Sequence, residues 1–146
     1  MKPIFTKYRR ISIPLLTAFL LCTAAILSCE KEKLETQDNF PFEVKILPVP
    51  SAISEGRTAE IRVSIKPAGS YAGTQYFIRY FQFEGSGILQ YYDQAPYLPN
   101  DIYLLPSADF RLYYTSNSLV SQSFDIWISD NFGNEKKLSF GFNNSD

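Results

Sequence analysis

The sequence predicts an all-β fold, a single antiparallel β-sandwich of about seven short strands, preceded by a leader and a charged tether. Three observations carry that expectation. Apolar and polar residues alternate with period two over successive short runs, which is the signature of strands with one wet face. Turn residues separate those runs at frequent intervals, and no stretch after residue 39 shows the spacing of an amphipathic helix. Aromatic residues make up 16% of the chain, and each ring can bury about 150–250 Å², enough to give a small domain a core.

Taken in order, the first strand is read where Phe42, Val44 and Ile46 alternate with Glu43 and Lys45. After the turn residues Ser54-Glu55-Gly56, RTAEIRVSIK puts Ala59, Ile61, Val63 and Ile65 on one side and Glu60, Arg62, Ser64 and Lys66 on the other. Pro67 to Ser70 ends it. TQYFIRYFQF, residues 74–83, is apolar on both faces apart from Arg79 and its ends, so it reads as a central strand. Glu84-Gly85-Ser86-Gly87 turns the chain into ILQYY. A longer connection follows, holding Pro96, Pro99 and Asn100-Asp101. DFRLYYT and SQSFDIWIS are the next two strands, and KKLSFGF closes the set after the turn at residues 130–134. No internal repeat is evident. The Cys–Trp–Cys hallmark of antibody domains is missing, and Trp127 falls on the sixth strand rather than the third. The expected sandwich, residues 40–146, is therefore immunoglobulin-like in architecture only.

What precedes the sandwich reads as an export and anchoring device. Lys2, Lys7, Arg9 and Arg10 are followed by an almost wholly apolar or small stretch, Ile11 to Leu27. A positive head, an apolar run and small residues form a secretory signal, which places residues 1–28 outside the fold. As a permanent anchor the run falls short of the roughly 20 residues that span a bilayer, and Ser12 and Pro14 interrupt it. Ile26-Leu27-Ser28-Cys29 resembles the bacterial lipobox, in which the chain is cut before Cys and the thiol is acylated. Each buried methylene adds about 0.8 kcal/mol, so several acyl chains hold a protein at the membrane. Cys29 is the expected lipidation site, and Cys22 leaves with the leader. Residues 29–39 then form the lipidated Cys and a charged tether with little to bury. Its ten residues after Cys29 reach about 33 Å when extended. Acidic residues behind such a Cys resemble the surface-export signal of Bacteroidetes lipoproteins. Here Glu alternates with Lys, so an outer-membrane lipoprotein is expected and the leaflet is left open.

Charge and composition exclude several functions. Four of the 14 basic residues and none of the 15 acidic ones lie in residues 1–28. The processed chain is thus acidic by five charges, against the basic clusters a nucleic-acid binder needs. The sequence has no His, which removes Ser-His-Asp and Cys-His catalysis and His metal ligands. Gly85-Ser86-Gly87 lacks the strand–helix context of a phosphate loop. Asp101 and Asp109 could be paired as glycosidase carboxylates, but they read as loop and strand-edge acids. Asp130-Asn131 offers calcium-type oxygens, yet beside Gly133 it reads as turn chemistry. No catalytic residue, cofactor or metal is expected.

The aromatic residues offer two binding surfaces. Tyr91-Tyr92, Tyr97, Tyr103 and Tyr113-Tyr114 could stack against a sugar, although strand tyrosines usually bury the ring and keep the hydroxyl wet. Phe124, Ile126 and Ile128 define the inward face of their strand, which turns Asp125, Trp127 and Ser129 outward. In a sandwich of this type the third, sixth and seventh strands share a sheet. Arg79 then stands on the strand next to Trp127 and Asp125, either as an aromatic–Arg docking patch or as an Arg–Asp pair under a covering Trp.

TQYFIRYFQFEGSG, LPND at 98–101, FRLYYTS at 110–116, and SFDIWISDNFGN followed by LSFGFNN resemble the TraQ-like conjugal transfer lipoprotein family of Bacteroides-type conjugative transposons. The likeness covers roughly residues 40–144. It implies a small lipoprotein of the mating apparatus whose partners are protein components of the conjugation machinery. It assigns no catalytic or binding residue. Two readings follow: a non-enzymatic accessory or interaction lipoprotein of conjugation, or a surface lipoprotein binding a glycan or other ligand through an aromatic face. The second is favoured if Trp127 and the tyrosines line one groove.

Overall fold

The structure, a computed structural model, describes residues 38–145. The leader, Cys29 and most of the tether lie outside that range. The described residues form nine strands and no helix: β1 (Phe42–Ile46), β2 (Ala52–Ile53), β3 (Thr58–Pro67), β4 (Tyr76–Glu84), β5 (Gly87–Tyr91), β6 (Ile102–Leu105), β7 (Asp109–Ser116), β8 (Gln122–Asp130) and β9 (Glu135–Asn144). A four-stranded sheet in the order β1-β3-β7-β5 packs on a five-stranded sheet in the order β2-β9-β8-β4-β6. The fold is a β-sandwich.

Nine strands replace the expected seven. The additional two are β2, which pairs parallel to β9 through Ala52–Asn143 and Ile53–Asn144, and β6, which lies antiparallel to β4. Neither carries a period-two signal. Two residues are too few to alternate, and IYLL is a short apolar run between Pro99 and Pro106 that reads as connection. The parallel β2–β9 pair is also a departure from an all-antiparallel sandwich. In the constant-type immunoglobulin order the chain crosses from the third strand to the opposite sheet and continues there. Here β5 crosses, but β6 returns beside β4 before β7 crosses again. The expected adjacency of the third, sixth and seventh predicted strands is present, as β4-β8-β9.

Alternation decides which side chains fill the space between the sheets. Ala59, Ile61, Val63 and Ile65 of β3 and Phe110, Leu112 and Tyr114 of β7 are buried from one side. Ile78 and Tyr80 of β4, Phe124, Ile126 and Ile128 of β8, and Phe140 and Phe142 of β9 are buried from the other. Phe124 sits at the centre of an aromatic stack, with ring centroids 4.4 Å from Tyr114 and 5.2 Å from Phe140. A polar chain threads the same layer: Tyr80 donates to Gln82, Gln82 to Tyr114, Tyr114 to Gln122 and Gln122 to Ser116. Among the described residues no buried side-chain nitrogen or oxygen lacks a partner. An internal polar network of this kind is tolerable only when every member is satisfied.

Candidate functional site

The outer face of the five-stranded sheet is built by the residues left over when Ile78, Tyr80, Ile126 and Ile128 turn inward. Register puts Ile102 of β6, Arg79 of β4, Trp127 of β8 and Lys137 of β9 on one rung. The Arg79 guanidinium carbon lies 4.1 Å from the Trp127 ring centroid, and Lys137 Nζ lies 5.5 Å from it. The indole is thus flanked by two cations, and its electron-rich face attracts both. One rung along, Asp125 is buried, and its Oδ2 accepts from Lys137 Nζ at 2.6 Å. Burial alone would raise the Asp125 pKa. Hydrogen bonds from Lys137 and Ser139, with the Lys137 charge, outweigh it and hold the carboxyl below its ordinary value.

The three residues expected at this face are therefore brought together, with one rearrangement. Arg79 stacks on Trp127, while the acid is neutralised by Lys137 rather than by Arg79. Among the described residues Arg79 makes no ion pair. Around this cluster the sheet exposes apolar side chains: Ile102 at 68%, Phe83 at 59% and Leu104 at 55% of their full surface. Phe83 occupies the irregularity between Gln82 and Glu84 in the β4–β8 pairing. Its ring meets that of Phe81 edge-on at 4.9 Å. Such a bulge re-aims a side chain. The sequence reading missed Lys137, Ile102, Leu104 and Phe83. Lys137 was legible by counting the β8–β9 hairpin register outward from the turn at residues 130–134. Ile102 and Leu104 required knowing that β6 exists, and Phe83 required the bulge between Gln82 and Glu84.

The remaining candidates separate. Asp101 is exposed in the connection before β6. Asp109 opens β7 on the other sheet, where Ser64 donates to it and Lys66 Nζ approaches to 3.5 Å. Those contacts, the Ser64 hydrogen bond foremost, hold its pKa below the usual carboxylate value, opposite to what a general acid needs. Asp130 Oδ1 accepts from the backbone N–H of Phe132 and of Asn134, both at 2.9 Å, and Oδ2 accepts from the Asn134 amide at 2.7 Å. Its carboxylate is thus engaged by the turn. Asn131 ties that turn to the segment before β4, accepting from Gln75 N at 2.8 Å and donating to Gly73 O at 3.0 Å. Among the described residues no three His, Cys, Asp or Glu gather as metal ligands.

The tyrosines do not share a groove with Trp127. Tyr91, Tyr97 and Tyr114 are buried, and Tyr103 is half-buried against Tyr97 at a centroid distance of 4.5 Å. Tyr92 and Tyr113 alone among them line an open depression, on the outer face of the opposite sheet. Cys29 lies outside the described residues.

A family model described as TraQ conjugal transfer protein matches residues 12–145. Among solved structures, the chain is similar to a conjugative transposon lipoprotein from Bacteroides eggerthii, with 46% identity over 73% of this chain and 100% of that one and a TM-score of 0.68. It is similar to a lipoprotein from Bacteroides thetaiotaomicron, with 43% identity over 79% of this chain and 88% of that one and a TM-score of 0.67. It is similar also to a conjugate transposon protein from Bacteroides vulgatus, with 44% identity over 77% of this chain and 91% of that one and a TM-score of 0.65. None of the curated proteins compared matches it.

Proposed function

The chain belongs to the TraQ conjugal transfer protein family, and from that premise we propose that it is a non-enzymatic accessory lipoprotein of a conjugative DNA-transfer apparatus. In this reading Cys29 is acylated and holds the protein at the outer membrane. The tether lifts the sandwich away from the lipid, and the outer face of the five-stranded sheet docks a protein component of the apparatus.

The observation that carries the docking role is the coincidence of exposed Ile102, Phe83 and Leu104 with the Arg79–Trp127 stack on one face. Interfaces are enriched in Trp, Arg and other aromatics over a depleted background of charge. The stack orders Arg79 before any partner arrives, which lowers the entropy lost on binding. With Asp125 already neutralised by Lys137, the guanidinium N–H groups remain free to take a carboxylate. The partner that fits is a protein with an apolar ridge bearing an acidic residue.

Trp127→Ala tests this. A folded variant that reaches the membrane at normal levels, yet loses its co-purifying transfer proteins and its mating efficiency, is the expected result. An unstable variant, or a folded one with mating unchanged, removes docking from this face. The anchor is tested separately, since metabolic fatty-acid labelling should mark the wild type and not Cys29→Ser.

A further inference from the structure

The outer face of the four-stranded sheet carries a second, chemically different surface. Thr58 of β3, Gln90 of β5, Tyr113 and Thr115 of β7, and Tyr92 and Asp93 of the turn after β5 line an open depression of about 570 Å³. That volume lies within the roughly 300–1,000 Å³ of small-molecule sites. Register sets Tyr113 between Glu60 of β3 and Gln90 of β5, so it stands on the outer face with polar neighbours on both sides.

The turn is held open in a costly conformation. Tyr92 has φ of +49°, a left-handed value unusual for a residue other than Gly, Asn or Asp. Three contacts fix it. Tyr92 N donates to Arg111 O at 3.4 Å, Gln90 Nε2 donates to Tyr92 O at 2.8 Å, and Gln94 N closes the turn on Tyr91 O at 3.0 Å. The result is a Tyr92 ring 39% exposed, edge-on to Tyr113 at 6.4 Å. Strained, over-determined residues of this kind gather at ligand clamps.

Lining chemistry narrows the ligand. The depression offers two tyrosine rings, an amide, two hydroxyls paired with each other at 2.8 Å and one carboxylate, with no basic side chain. The nearby Arg62 and Arg111 are both taken by Glu60, at 2.9 and 3.1 Å. Among the described residues the Asp93 carboxylate and the hydroxyls of Tyr92 and Tyr113 have no partner. An anionic ligand finds a negative charge and no cation among the lining residues. A wholly apolar ligand would bury Asp93 unpaired. What suits the set is a molecule rich in O–H donors that also presents a C–H face to an aromatic ring, because the negative π face attracts polarised C–H and a carboxylate accepts two hydrogen bonds. The geometry points to a binding site for a neutral saccharide, with the pyranose face against Tyr113 and a vicinal diol on Asp93.

The full chain, held in a polyoxyethylene detergent that contains no sugar, can be titrated calorimetrically with cellobiose, maltose, mannobiose and diacetylchitobiose. Saturable binding of at least one, with Kd near or below about 1 mM, is expected. Asp93→Asn and Tyr113→Ala should each weaken it by about tenfold or more, Tyr113→Phe should retain it, and Glu135→Gln on the other sheet should leave it unchanged. If Tyr113→Ala loses its β-sheet circular dichroism, Asp93→Asn, an exposed turn residue, still decides. Absence of binding to all four sugars, binding that survives Asp93→Asn, or a response only to a single-stranded oligonucleotide overturns the assignment. Because the docking face is on the opposite sheet, failure here leaves that reading standing.

Discussion

The hydroxyl of Tyr114 is buried between two amides, donating to Gln122 Oε1 at 2.6 Å and accepting from Gln82 Nε2 at 2.7 Å. Its ring stacks on Phe124 and Phe142. Tyr114→Phe keeps the stack and removes the hydroxyl, stranding a buried Gln122 oxygen. The expected cost is about 1–3 kcal/mol, read from urea unfolding at neutral pH. A neutral result would mean that the amides re-pair or admit water. Gly87 belongs to the same unit, because a Cβ there would fall inside the envelope of Tyr114 Oη. Across the sheet, Asp125 depends on Lys137. Lys137→Met leaves a buried carboxylate without its cation, so the Asp125 pKa should rise and stability should fall at pH 7. Because its pairing holds the wild-type pKa low, that stability is present above the ordinary carboxylate range and is lost as pH falls through the folded value. Wild type and Lys137→Met should therefore converge in acid. A constant difference from pH 7 to pH 3 would assign the effect to packing instead.

Strand pairing is specified where alternation meets a defined turn. The β4–β5 connection depends on Gly85, whose φ is +68° and whose added Cβ would lie 2.6 Å from Gln122 Cγ and 2.9 Å from Ser121 O. Gly85→Ala therefore meets both a backbone penalty, about 1 kcal/mol or more for a left-handed non-glycine, and a clash with β8. Thermal unfolding should show a clear drop in Tm. Gly56→Ala shares the positive φ but has open space around its Cβ, so it should lose less. Equal losses at the two positions would show that the clash contributes nothing. On β8 and β9 the same logic made the outward set legible. Once Ile126 and Ile128 are inward, Trp127 must be outward, and antiparallel register then fixes its neighbours.

Buried tyrosines give the whole molecule an alkaline limit. Tyr80, Tyr97 and Tyr114 all have their pKa raised, with burial the first cause in each. Below pH about 10 both states keep the proton, and these groups leave stability unchanged. Above it the unfolded chain ionises while the folded chain does not, so stability falls. Tyr80 and Tyr97, whose shifts are the larger, should each remove about 1 kcal/mol between pH 10 and pH 11, and Tyr114 adds a loss of the same sign. The urea midpoint should drop accordingly, while the native absorbance near 295 nm rises by less than that of the unfolded chain. A native absorbance rise equal to that of the unfolded chain, with no loss of stability, would contradict their burial.

Alternation alone specified the core-forming strands, because a period of two is written locally and one wet face demands it. It also turned Trp127 outward and identified the Arg79 strand, since a charge in an otherwise apolar run selects the solvent side. The absence of His and the acidic balance set the chemistry to expect before any fold was known. Tertiary structure decided what no local period encodes. β2 and β6 exist only because β9 and β4 offer them edges. The β8–β9 register gave Asp125 to Lys137 and left Arg79 to the indole. Two-sheet packing sent Trp127 and Tyr113 to opposite outer faces, which divided one imagined aromatic groove into two surfaces of different chemistry. The physical reason is range: a side chain's inward or outward sense depends on its neighbours in sequence, whereas its partners depend on strands brought from far along the chain.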